Sequence, residues 1–292
     1  VFVTLVWKAL LESDWRISMI SVVIPVLNAS THYFRQTLCS LRNQSCKDFE
    51  VLVVEDPCAC SVAEIVAEIN DPRFIFIRNA RKLGFAEQLN IGIRRAKYEL
   101  IARIDADDIA REDRLTKQLE AFQNNSEFVL AGSCLTMINE SGDVIGNRKY
   151  PLCSEEIRRQ APISSPVAHP AVMFRRDAIL RIGGYNGEFG VTADYDLWAR
   201  LLTSGHSFIN LSDNLTSYRI HENASKFSSL RATLSSTVKI KKRYFVNKYY
   251  WSFSAQFRLF IEKILLRLPP SLVYKIFLMF VKMSNHESLS KT

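Results

Sequence analysis

Several common signatures are missing from this 292-residue chain. No GxGxxG follows the first strand pattern and no GxxxxGK followed by Ser or Thr occurs, which excludes the glycine-rich phosphate loops of dinucleotide oxidoreductases and P-loop enzymes. The six cysteines, Cys39, Cys46, Cys58, Cys60, Cys134 and Cys153, form no CxxC pair and have no histidine at zinc spacing. They read as reduced thiols of a cytosolic protein. Long hydrophobic runs are missing too. The apolar stretch Val1 to Leu11 is broken by Lys8, is too short to span a bilayer, and lacks the basic start and small-residue cleavage site of a signal peptide. Met19 directly precedes the first strand pattern, so translation is expected to start there, with residues 1–18 as an extension. Acidic residues are scarce at one end only. Of 38 Lys+Arg and 30 Asp+Glu, 12 and 2 fall between Leu230 and Thr292, so this tail carries +10 and the rest −2. A tail of that kind calls for an anionic partner, nucleic acid or a membrane surface.

What is present is an alternation of short β-branched runs with helical patterns, the mark of βαβ units and a mainly parallel sheet. Ile20 to Val26, Phe49 to Val54, Phe74 to Ile77 and Leu100 to Ile104 read as strands. Tyr33, Leu38 and Leu41 recur at helical spacing, and Ala86 to Ala96 reads as a helix after a turn at Gly84. Leu115, Leu119 and Phe122 predict a further helix beginning close to Asp108. Phe128 to Thr136 and Met137 to Ile145, with a turn at Asn139 to Asp143, read as a hairpin or as edge strands. Ala171 to Phe174 is a short strand, and Asp196 to Leu202 a helix stopped by Ser204-Gly205. Two amphipathic helices, Ala255 to Leu268 and Leu272 to Met283, close the chain, with charges that keep either from being a transmembrane span.

In open α/β sheets, ligands settle beyond the carboxyl ends of the strands. The residues there are Pro25 to Asn28, Glu55-Asp56-Pro57, Arg78-Asn79 and Asp105-Ala106-Asp107-Asp108. Along extended backbone Asp105 and Asp107 point to one side, which gives a divalent cation, Mg²⁺ or Mn²⁺, two hard oxygen ligands beside a diphosphate. Such a cation neutralises charge on a departing phosphate oxygen. The competing reading, that the carboxylates only cap the following helix, applies best to Asp108.

The segments SVVIPVLNAS, DFEVLVVEDP, the long RNARKLGFAEQLNIGIRRAKYELIARIDADDIAREDRL, HPAVMFRRDAILRIGGYNGEF, TADYDLWARLL and YRIHENAS resemble, in this order, the family 2 glycosyltransferases, over about residues 19 to 227. The resemblance implies an α/β GT-A fold, a Rossmann-like mainly parallel sheet flanked by helices over residues 19–229, with a C-terminal amphipathic helical extension over 230–292. It implies inverting transfer of a sugar from a nucleoside diphosphate, usually UDP, to an acceptor hydroxyl. By similarity, Pro25 and the Asn28 region form the first nucleotide loop. Asp56 hydrogen-bonds the base, with Glu55 in place of the first of two aspartates usual there and a second candidate for that contact. Arg78 to Lys82 would lie near the uridine and phosphates, Asp105 near the ribose or sugar, and Asp107 on the metal. Asp194, in Thr192-Ala193-Asp194-Tyr195-Asp196, stands in the acceptor-side motif as general base, although Ala193 replaces its usual glutamate. Asp196 reads as a helix-start residue. His221 is expected beside the metal or pyrophosphate, whereas for His169 and Trp198 a core or surface role is the better reading than a place in the site.

A nucleotidyltransferase would want a basic, glycine-rich loop after the first strand, which Asn28-Ala29-Ser30 does not supply. A nucleic-acid-binding protein is the reading from a different class, resting on the basic, aromatic tail. We expect instead that residues 239–283, with Lys241, Lys242, Arg243, Tyr244, Tyr249, Tyr250 and Trp251, meet anionic lipid on the inner face of the plasma membrane, where a lipid-linked acceptor would be. A chain ending near Ser229 is then expected to be more soluble and to keep its donor. A helical cap on the catalytic domain, or a dimer interface, is the alternative use of the tail.

Overall fold

The computed structural model describes residues 19–221, 230–246 and 252–269. Residues 1–18, the stretch Tyr249 to Trp251 and the expected helix Leu272 to Met283 lie outside them.

The apolar runs form strands where their pattern put them: β1 (Ile20–Val26), β2 (Phe49–Glu55), β3 (Phe74–Arg78) and β4 (Leu100–Arg103). They pair in parallel in the order β3-β2-β1-β4, joined by α1 (Thr31–Arg42), α2 (Ala63–Glu68) and α3 (Phe85–Arg95). Side chains alternate across the sheet. Val23 and Leu52 pack with Leu89 and Ile93 of α3 on one face, while Val22, Ile24, Val51 and Val53 meet Phe34, Leu38 and Leu41 of α1 on the other. The chain goes from β1 outward to β3 and then returns to β1's other side as β4, so a crevice opens at the carboxyl ends of β1 and β4. Pro25 helps to open it. Proline cannot donate to a ladder, and the β1–β4 pairing has already stopped at Val23 opposite Arg103.

The second half continues the sheet. In chain order it contains β5 (Ile109–Ala110), α4 (Arg114–Asn124), β6 (Phe128–Ile138), β7 (Val144–Arg148), α5 (Ser154–Gln160), β8 (Met173–Arg175), α6 (Arg176–Arg181), α7 (Ala193–Thr203) and β9 (Ser207–Arg219). The order beyond β4 is β8-β6-β9-β5, with β7 paired to β6. The expected hairpin is present as β6 and β7. Its Asn139 side chain accepts from the Asp143 amide at 2.9 Å.

Two expectations need correction. The helix after the acidic cluster starts at Arg114, not near Asp108, because Ile109 and Ala110 are drawn into antiparallel pairing with Ser217 and Thr216 of β9. Asp108 is therefore no cap. Nor did the sequence pattern announce β9, a mostly polar strand held by its parallel ladder with β6.

The tail begins with α8 (Leu230–Tyr244) and α9 (Phe253–Arg267). α8 packs on α7, where Ile240 and Phe245 join the core that contains Leu197 and Leu201. Lys241, expected at a lipid surface, is fully buried. Its Nζ donates to both Glu262 oxygens, at 2.7 and 2.9 Å, and to the Ile163 carbonyl at 2.7 Å. The described part of the tail is thus a cap on the α/β domain. A chain ending near Ser229 would bare the apolar face of α7, and the expectation that it gains solubility is withdrawn.

Candidate active site

The acidic loop leaves β4 with each aspartate held differently. Arg103, the last residue of β4, is almost fully buried, and a buried guanidinium is costly without a partner. It turns back on Asp105 as a fork, with both Nη atoms on the two carboxylate oxygens and Nη1 to Oδ2 at 2.9 Å. Asp107 Oδ2 lies 2.7 Å from His221 Nε2, and its carbonyl accepts from Arg219 Nε at 3.0 Å. Asp108 is fully buried. Its Oδ1 accepts from the Arg219 amide at 2.9 Å, its carbonyl accepts from Thr37 Oγ1 at 2.8 Å, and Oδ2 has no hydrogen-bond partner.

One oxygen from each of these aspartates falls within 4.8 Å of the others. Burial raises the Asp107 carboxyl above the ordinary range, the Asp105 charge adds to this, and the hydrogen bond from His221 opposes it. Burial raises Asp108 further, with Asp105 and Asp107 as the next causes. Crowded hard oxygens, an orphaned buried carboxylate atom and an imidazole suit a divalent cation of the Mg²⁺ or Mn²⁺ type.

This loop floors a cleft of about 590 Å³ that includes Pro25, Leu27 and Asn28 after β1, Asp105 and Asp107, Pro170, Asp194, and Tyr218 to His221 without Ile220. Asn28 has φ +52°, in the left-handed region that asparagine tolerates better than most residues. The fold thus gathers seven residues named from the sequence, in distant segments: Pro25, Asn28, Asp105, Asp107, His169, Asp194 and His221. Asp194 sits in the first turn of α7. Asp196, in the same turn, is buried against Arg200, whose Nε donates to it at 2.8 Å.

Four of the expected donor contacts are not in this lining: Glu55, Asp56, Arg78 and Lys82. Glu55 and Asp56 are fully buried and bonded within the fold. Glu55 accepts from Ser61 Oγ and the Val62 amide, both at 2.7 Å. Asp56 accepts from Asn79 Nδ2 at 2.8 Å and from the Leu83 and Gly84 amides at 2.9 and 2.7 Å. Their carboxylates organise the loops after β2 and before α3. Arg78 and Lys82 are exposed. His169 lines the cleft, with Nε2 2.9 Å from the Tyr185 hydroxyl, and Trp198 is core. Sequence reasoning missed Arg103, Arg219, Tyr33 and Phe85, which also line the cleft. The available signal was a charge inside an apolar run, as in Leu-Ile-Ala-Arg-Ile.

A sheet whose strand order reverses between the parallel strands β1 and β4, with an aspartate-x-aspartate loop at its carboxyl edge, defines the GT-A class of glycosyltransferase. The chain belongs to glycosyl transferase family 2, whose model matches residues 21–183. It is 34% identical over 242 residues to the O-antigen biosynthesis glycosyltransferase WbnJ of Escherichia coli, covering 79% of this chain and 92% of that one. It is 26% identical over 250 residues to the UDP-Gal:alpha-D-GlcNAc-diphosphoundecaprenol beta-1,3-galactosyltransferase of Escherichia coli, covering 82% and 87%. The solved structure of S. aureus TarS 1–349 shares the fold, with a TM-score of 0.54 at 16% identity over 82% of this chain and 77% of that one.

Proposed function

We propose that this glycosyltransferase moves a sugar, with inversion, from a nucleoside diphosphate to a hydroxyl of a lipid-linked glycan in surface-polysaccharide synthesis, with UDP as the nucleotide. The observation that carries the reading is the meeting in one cleft of Pro25, Asn28 and Asp105, of the Asp107–His221 pair, and of Asp194. Pro25 and Asn28 line the nucleoside end. Asp105, oriented by Arg103, keeps lone pairs for a ribose or sugar hydroxyl. Arg78 and Lys82, exposed outside the lining, flank the phosphates. Asp107 and His221 would hold Mg²⁺ or Mn²⁺, which supplies positive charge for the diphosphate. Asp194 takes the proton of the acceptor hydroxyl. That oxygen bonds to the anomeric carbon from the face opposite the phosphate, whose C–O bond breaks with the electron pair leaving on the nucleotide.

The test is nucleotide release and product formation across a panel of nucleotide sugars, with and without Mn²⁺, on wild type, Asp107→Ala and Asp194→Asn. Asp194→Asn should keep donor binding while transfer falls by about 10²-fold or more. Asp107→Ala should weaken cation-dependent donor binding. Full activity in both variants would overturn the assignment.

Two features support work at an anionic membrane surface. One relative is named for an acceptor carried on diphosphoundecaprenol. The other is α9, where Phe253, Phe257, Phe260 and Ile264, at helical spacing, are 80%, 55%, 59% and 40% exposed. The charged residues exposed on α9 are Arg258, Lys263 and Arg267, all cationic, and Lys242 and Arg243 stand exposed on α8. Apolar aromatic rings beside cations fit a bilayer with anionic headgroups.

A further inference from the structure

Arg219 lies in the YRIHENAS segment without a role assigned to it there, and its side chain ties together several parts of the acidic site. It is 1% exposed at the end of β9. Its Nε donates to the Asp107 carbonyl at 3.0 Å, Nη1 to the Asn139 and Glu140 carbonyls at 3.1 Å each, and Nη2 to Gln36 Oε1 at 2.6 Å. Its guanidinium carbon stands 4.3 Å from the centroid of the Tyr33 ring, and its own amide donates to Asp108 Oδ1. One planar cation thereby joins α1, the acidic loop, the β6–β7 turn and β9. The next residue closes the arrangement: the Ile220 amide donates to the Ile138 carbonyl at 2.9 Å, and His221 follows with its Nε2 against Asp107 Oδ2.

We infer that Arg219 is the positioning residue of the Asp107–His221 pair: it fixes the Asp107 backbone and the start of the His221 segment to one point, so that the two side chains converge from strands far apart in sequence. The inference rests on the reading of this pair as a cation site. Geometry and charge predict opposite signs here. Arg219 is a positive charge beside the site, so its removal by Coulomb's law alone should tighten cation binding. If its work is to hold the ligands in place, removal should weaken binding, by about 10-fold or more, as losses in the shell supporting a metal's ligands do.

The experiment titrates the full chain with Mn²⁺ alone, reading bound ion by electron paramagnetic resonance, for wild type, Arg219→Gln and Arg219→Lys. Both variants should bind about 10-fold more weakly, with Arg219→Lys failing to rescue because one ammonium cannot span the four acceptors of the fork. Retained or tighter binding in folded Arg219→Gln overturns the inference, and so does full rescue by lysine. Should neither variant fold, Gln36→Leu, which removes one acceptor of the fork from half-buried α1, should weaken binding about threefold, and unchanged affinity there counts against the inference. Wild type that binds no Mn²⁺ overturns the cation reading itself, a result separable from wild-type binding that the variants share.

Discussion

At the scale of single residues, the protonation of the acidic loop couples the site to stability. Asp107 and Asp108 are both raised, by burial first and neighbouring carboxylates second. An acid whose folded pKa lies above its unfolded value, about 4, holds its proton longer in the folded chain. Its contribution is undiminished below about pH 4, and stability falls as pH rises from there through the folded values. A divalent cation takes the place of those protons, so its stabilising effect grows over the same window. The rise in Tm given by a fixed Mn²⁺ concentration should therefore be larger at about pH 7.5 than at about pH 5, and the difference should shrink in Asp107→Asn. A rise of equal size at both pH values would remove the raised carboxyls from the account of cation binding.

At the scale of elements, the approach of α3 to β1 sets how tightly the parallel half of the sheet is packed. A Cβ on Gly92 would stand 2.4 Å from Val23 Cγ1. Alanine gains about 1 kcal/mol of helix propensity over glycine, but overpacking costs about 1–3 kcal/mol, so the clash wins. Gly92→Ala should lower the unfolding free energy by up to about 2 kcal/mol in urea denaturation, with the slope unchanged. These same elements, β1 to β4 with α3, were legible in the sequence, because each carries its own apolar period and its own turn signal. Gly84, with φ +89°, does occupy the turn before α3. β9 was not legible, since its stability comes from the ladder to β6 and only scattered members such as Phe208 and Leu215 are buried apolar residues. With β9 unseen, the fate of Asp108 and the reach of Arg219 could not be read. The acidic loop, in contrast, announced itself by ending an apolar strand. Glu55 and Asp56 also end one, and what separates the two cases is whether the following chain folds back to bond the carboxylates, which is decided by tertiary structure.

At the scale of the whole molecule, the catalytic sheet and the described tail helices α8 and α9 form one packed unit. Lys239 pairs with Glu188 in the turn that leads into α7, and Tyr195 of α7 packs its ring 6.1 Å from that of Phe245. The exposed face of α9 is therefore best tested by substitution rather than truncation. Full-length protein should sediment with vesicles containing phosphatidylglycerol and much less with phosphatidylcholine alone. Phe257→Ser together with Phe260→Ser should weaken that binding by about 10-fold per ring buried in lipid, at roughly 1.5 kcal/mol each. Indifference of the wild type to anionic vesicles would refute the membrane reading. A dimer that the double variant dissolves would assign the face to a second copy of the chain.

The buried Asp56 has one more effect on this frame. By bonding Asn79 and the amides of Leu83 and Gly84, it ties both ends of the stretch between Arg78 and α3 to the end of β2. Arg78 and Lys82 ride on that stretch. On the role proposed above for these two cations, the conformational entropy that a loose loop would surrender on closing over an anion is already lost in folding.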